Sequence, residues 1–196
     1  MHETIGKPAP PFKMFVVGTL VLYLALVFFT VLAGLTQGLV AGANGNSEHP
    51  FDNISPIAVI CALLALVCAV GMAVVYGINL YRMWGTVQDG KASLTPGTAV
   101  VISLVPGVML VGCFFAFHGL SKEMNRVGGS RGGPAVSEGW ALTACILMVV
   151  GAVLGCIPFV GGCIGGPLQI VAIVFWVMSM FQMARTAEWL VQNPAV

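Results

Sequence analysis

Charge is what this sequence has least of. Of its 196 residues, eight are Lys or Arg and seven are Asp or Glu, 8% in all, where ordinary soluble domains carry about 25%. A soluble core of this size needs a charged skin, so a soluble globular fold is excluded. The scarcity is also patterned: residues 14–47, 53–81, 92–121 and 139–184 contain no charged side chain. A net charge of +1 supplies neither a basic surface for nucleic acid nor a polybasic arm for acidic lipid. The neutral runs hold no carboxylate, lysine or arginine of the kind that pumps and ion-coupled carriers keep inside the membrane for their relays.

Motifs of chemistry are equally scarce. There is no Gly-rich nucleotide loop, no GxSxG and no HExxH, and no polar stretch is long enough to build a soluble active site. The six cysteines include no CxxC and no cluster with His at zinc spacing, and the ten methionines read as core filler rather than copper ligands. His118 is the sole histidine inside an apolar run, and one imidazole cannot supply a bis-histidine haem site. Near Lys122 it reads as a solvated anchor. The chain is therefore expected to be no enzyme and to carry no metal and no cofactor.

What is there is hydrophobic length. Hydrophobic residues make up 58% of the chain, and about 20 apolar residues cross the roughly 30 Å hydrocarbon layer. The first three neutral runs each hold one crossing or a little more, and the fourth holds two. These lengths predict an all-α polytopic membrane bundle, with spans at about residues 15–40, 56–80, 139–157 and 168–185 and a broken segment at 97–120. Residues 1–13 form an exposed lead-in, 14–190 a single transmembrane helical domain and 191–196 a tail. The first apolar run is too long for a signal-peptide core and reads as an uncleaved anchor.

Two faces of small residues stand out. Cys61, Ala65, Ala69, Ala73 and Gly77 recur at every fourth position, as do Thr30, Gly34, Gly38 and Gly42, so each helix has one flattened side on which another can pack closely. The expectation is that helix one packs on helix two through them. Ser55-Pro56 and Thr95-Pro96 place a capping hydroxyl before a proline at the first helical position. Tyr81, Arg82 and Trp84, and later Trp140 and Trp189, are residues of the headgroup boundary and are read as interfacial anchors. Residues 122–134 read as a charged, then Gly-rich, flexible connection. Residues 184–190 read as an amphipathic end lying in the interface.

Pro106-Gly107 breaks the third neutral run near its middle, and Pro158 turns the chain within the fourth. With one kinked crossing at residues 97–120 the protein has five spans, and its eight basic residues divide four against four across the membrane. If that segment is a re-entrant hairpin there are four spans, and all eight share one side, the pattern that insertion prefers. Four spans plus a hairpin is therefore favoured over five, with both termini cytoplasmic. In that topology Cys156 and Cys163 flank the Pro158 turn on the outer side, a candidate disulfide in an oxidising compartment. The remaining cysteines read as small apolar residues.

Leu104-Val105-Pro106-Gly107, followed by an aromatic helix ending at His118 to Arg126, parallels Cys156-Ile157-Pro158-Phe159, followed by Phe175-Trp176 and Gln182-Met183-Ala184-Arg185. With Tyr81-Arg82-Met83-Trp84, Gln88-Asp89-Gly90 and Thr95-Pro96-Gly97, this pattern resembles uncharacterised bacterial multi-pass membrane proteins of the domain-of-unknown-function type, over roughly residues 75–190. It departs from them after Pro106, where Gly107-Val108-Met109 replaces a bulkier aromatic and asparagine stretch. The resemblance implies a bacterial inner-membrane protein and supplies no activity. The expected function is that of a non-catalytic structural or accessory subunit or scaffold in the lipid bilayer. Its small-residue faces would assemble a homo-oligomer or join a larger membrane complex, with no nucleic acid involved. The alternative is a small oligomeric channel or passive transporter for a neutral solute, whose path Thr19, Thr30, Thr36, Gln37, Asn79, Gln169 and Gln182 would line.

Overall fold

A computed structural model describes residues 12–43, 55–105, 107–155, 157 and 164–194. Among the described residues there is helix and no strand. The helices are α1 (Phe12–Ala43), α2 (Pro56–Thr86), α3 (Pro96–Leu104), α4 (Met109–Cys113), α5 (Gly119–Gly129), α6 (Glu138–Gly155) and α7 (Gly166–Gln192), and a π-helical turn, Phe114–His118, joins α4 to α5. α1, α2, α6 and α7 are long and apolar enough to cross a membrane. α3 is not: its nine residues reach about 14 Å, half the hydrocarbon thickness. The protein is an all-α membrane bundle of four spans with a shorter broken segment between the second and third.

The chain packs as two compact units, Val17–Tyr76 and the remainder. In the first, α1 and α2 run antiparallel. A Cβ on Gly18 would lie 3.7 Å from Val75 and one on Gly71 3.6 Å from Leu22, while at the far end the Ser55 N–H donates to Gln37 Oε1 at 3.2 Å. As one residue number rises its partner's falls. Close approach is what glycine permits here, and in lipid, where apolar burial contributes little, such van der Waals contact is what holds helices together.

The pairing of helices one and two is present, but other glycines make it. Nothing lies within 4 Å of where a Cβ on Gly34 would stand, and the surroundings of Gly38 and Gly42 lie outside the described residues. On α2, Cys61 and Ala65 are buried and Ala69 and Ala73 half-buried. Gly77 belongs to the other unit, where a Cβ on it would stand 3.4 Å from Val100 and Leu104 of α3.

In the second unit α6 and α7 form another antiparallel pair, close-packed at small residues. A Cβ on Gly165 would stand 3.2 Å from the Gly155 nitrogen and 3.3 Å from the Gly151 oxygen. Beside Gly151, Gln169 reaches across to donate to the Met148 carbonyl at 3.1 Å. Phe117 stacks on Trp176, with ring centroids 6.4 Å apart, tying the broken segment to α7.

Three sequence expectations need correction. Residues 119–129 are helix rather than flexible connection, because Leu120, Ser121, Met124, Val127 and Gly128 fall on one face and are buried. The tail at 184–190 is the unbroken end of α7, with Ala184, Thr186, Ala187 and Leu190 buried, so it is core and not a separate interfacial helix. Trp84 is fully buried and anchors no interface. Of the other proposed anchors, Tyr81 and Arg82 are exposed, Trp140 and Trp189 half-buried, and the Arg82 guanidinium lies over the Phe15 ring at 4.9 Å. Pro106, Pro158, Cys156 and Cys163 lie outside the described residues.

A clamped re-entrant hairpin as the candidate functional site

The hairpin begins with a capped helix. Thr95 Oγ1 accepts from the Thr98 N–H at 3.3 Å and Pro96 occupies the first turn, the start that Thr95-Pro96 foretells. α3 ends at Leu104, and Gly107, with φ of +84°, takes a backbone conformation open chiefly to glycine. Residue 106 is a proline and has no N–H, so the Ile102 carbonyl loses its ordinary helical partner. That carbonyl faces Gly112 on the returning arm so closely that a Cβ there would overlap its oxygen and stand 2.8 Å from its carbon.

The returning arm is held at its π-helical turn. In a π-turn the backbone ladder widens and carbonyls become available to outside donors. Here two side chains from neighbouring helices take them: Trp84 Nε1 of α2 donates to the Ala116 carbonyl at 2.9 Å, and Cys145 Sγ of α6 donates to the Cys113 carbonyl at 3.4 Å. Trp84, misread from the sequence as a boundary residue, is thus a hydrogen-bonding strut inside the fold.

The mouth of the hairpin is clasped by charge. The Arg126 guanidinium of α5 grips Asp89, on the turn after α2, through Nη1 at 2.5 Å and Nη2 at 2.8 Å, and its Nε donates to Glu123 at 2.7 Å. Glu123 also accepts from the Ser93 N–H at 3.1 Å, and Asp89 from that of Lys91 at 3.0 Å. Both arms of the hairpin therefore open at the same end, which is what makes it re-entrant. The hydrogen bonds from Arg126, helped by the Lys91 amide, hold the Asp89 carboxyl well below the usual carboxylate range. At Glu123 burial pulls the other way, yet the bonds from Arg126 and Ser93 keep its carboxyl below the ordinary value.

A neutral network locks the next connection at that end. Asn125 spans the loop before α6, donating to the Val136 carbonyl at 2.8 Å and to Glu138 at 2.9 Å while accepting from the Val136 N–H at 2.7 Å. Gln182 accepts from the Ser137 N–H at 2.8 Å, and Thr186 donates to the Pro134 carbonyl at 3.1 Å. Gly133 lies under the Trp189 ring. Lys13, at the start of α1, pairs with Glu188 at 3.0 Å.

No known protein family, curated protein or solved structure matches this chain. The geometry is accordingly the guide to what the site can do. Its charged groups face each other and the backbone, an arrangement that fixes loops. Two enclosed polar groups stand apart: both amide atoms of Asn79, and Nδ1 of His118, have no hydrogen-bond partner. The His118 side chain is only half-buried, and Nδ1 is its enclosed atom. The roles of Asp89, Arg126 and Asn125 are not visible in the sequence because each finds its main partner 11 or more residues away, and Gln182, a candidate channel-lining residue there, instead serves the Ser137 N–H.

The clasp has a testable pH dependence. A carboxyl whose folded-state value is depressed adds stability that is complete above its unfolded value of about 4 and is lost as pH falls through the lower folded value. The Asp89 contribution should thus be flat from pH 8 to pH 5 and vanish only in strong acid. Arg126→Gln should return Asp89 toward the ordinary range and raise amide exchange across residues 88–95 at neutral pH, most visibly at low salt. Exchange unchanged from the parent protein would show that Arg126 does not hold the turn.

Proposed function

We infer that this chain is a non-catalytic integral membrane protein, a structural or accessory subunit whose α1–α2 unit packs against a second copy or a larger membrane complex. The observation that supports it is the uncovered Gly34. The α1–α2 pair closes through Gly18 and Gly71 and leaves the Thr30–Gly34 side of α1 open, where a further helix can approach as closely as GxxxG surfaces allow.

The channel reading is the weaker one because most of its lining candidates, Asn79 excepted, have structural partners. Thr30 and Thr36 donate to the carbonyls of Leu26 and Leu32 at 2.8 and 3.0 Å. Gln37, Gln169 and Gln182 each bond a backbone group 18 or more residues away. All the described Lys and Arg residues lie in the unit that carries the clasp, and by the positive-inside rule its charged end is cytoplasmic. A bacterial inner membrane is the setting that the sequence resemblance suggests.

The test is the native mass of the assembly extracted in a mild detergent. Gly34→Leu and Ala69→Leu should each reduce it to a smaller, still folded species, while Lys122→Ala leaves it unchanged. An assembly of parental mass in both leucine variants would overturn this reading, and solute flux in liposomes would then be the next measurement.

A further inference from the structure

The fold brings together two cysteines that lie 32 residues apart. Cys113 ends α4 on the returning arm of the hairpin, and Cys145 faces it from α6. Cys145 Sγ donates to the Cys113 carbonyl at 3.4 Å, which sets it against the residue that carries the other thiol, and Cys113 Sγ donates to the Leu110 carbonyl at 3.3 Å. Both are free thiols. Cys145 is fully buried and Cys113 half-buried. Nine residues separate Cys113 from Lys122, the first charge on this arm, which puts the pair about 13 Å inside the charged end. A charged reductant or oxidant does not reach that depth, whereas a lipid-phase one does.

We propose that Cys113 and Cys145 form a reversible dithiol–disulfide pair within the membrane, oxidised by lipid hydroperoxides. Cys113, the more accessible, is the attacking sulfur. It bonds to the terminal peroxide oxygen, the O–O bond breaks, and the lipid alkoxide leaves as the alcohol by taking the thiol proton, so that Cys113 becomes a sulfenic acid. The Cys145 sulfur then displaces the hydroxyl from the Cys113 sulfur. The S–S bond forms and the departing hydroxide combines with the Cys145 proton as water. Two thiols lose two electrons in all, and the hydroperoxide gains them in becoming an alcohol. The product staples the returning arm to α6 beside the π-turn, where the Cys145 thiol donates a hydrogen bond in the reduced state.

The experiment uses the full chain in lipid nanodiscs, with Cys156→Ser and Cys163→Ser introduced to remove the other close pair in the sequence. The protein is treated with cumene hydroperoxide, denatured, alkylated with a maleimide and weighed intact, and its linked peptides are mapped. Two thiols should become resistant to alkylation and recover on reduction with a phosphine. The mapped linkage should join Cys113 to Cys145, and either Cys113→Ser or Cys145→Ser should abolish the protection. Hydrogen peroxide at the same concentration should act several-fold more slowly. Full alkylation after treatment, a linkage between other cysteines, or equal rates with the two peroxides would overturn the proposal. The mapped linkage in the protein retaining both thiols decides the matter even if a serine variant fails to fold.

Discussion

Adding one methyl group at position 112 should open the re-entrant hairpin. In Gly112→Ala the new Cβ would overlap the backbone oxygen of Ile102 and stand 2.8 Å from its carbonyl carbon. No rotamer relieves a clash with backbone; one arm has to move. The arms are already fixed by the Gly107 turn at one end and by the Arg126 grip on Asp89 at the other, so the strain falls on the packing between them, including the Trp84 bond to Ala116. Overpacking of this kind costs about 3 kcal/mol or more, a fall of roughly 10 °C in Tm for a chain of this size. Gly97→Ala is the control. It lies on α3 with nothing within 4 Å of the added carbon, and alanine is the better helix former, so its Tm should hold or rise slightly. If Gly112→Ala melts within about 2 °C of the parent protein, α3 and the returning arm do not pack as described.

The elements that could be read from the sequence are those whose cause is local. Thr95-Pro96 marks the start of α3 because a capping hydroxyl and a proline act within one turn, and Pro106-Gly107 marks the break because the missing N–H and the left-handed φ belong to those residues themselves. The two-sided count of basic residues chose four spans over five, since insertion responds to charge without regard to packing. What escaped is what depends on a partner. A tryptophan beside an arginine looks like a headgroup anchor until the Ala116 carbonyl it serves is in view, and nothing around Cys113 points to Cys145. α5 is a different case: its buried face, Leu120, Met124 and Val127, has helical spacing in the sequence, but the charges between those residues and the glycines after them read as a loop. Gly34 was placed in a self-packing face on spacing alone, whereas Gly18 and Gly71, which make the contact, lie outside the repeats that drew attention.

Asn79→Leu should make the protein more stable. Asn79 is fully buried in α2, among Leu80, Met83 and Trp84, and neither its amide nitrogen nor its amide oxygen has a partner. A buried carboxamide without hydrogen bonds costs about 1–3 kcal/mol on the scale of mutational data. Leucine has nearly the same volume, suits a helix better and has no polar atom to satisfy. A gain of about 2 kcal/mol corresponds to a rise of roughly 6 °C in Tm, measured in mild detergent. Asn79→Asp serves as the opposing control, since it exchanges an amide for an acid in the same space and should destabilise. The sign of the leucine result separates two accounts of this position. A rise means that the amide contributes nothing to folding and persists for some other reason, and the assembly and oxidation measurements should then be repeated in this variant. A fall of a few degrees means that the amide is hydrogen-bonded in the working protein to something that is not part of this chain. The inner side of α2, next to the hairpin, would then be the place to look for it.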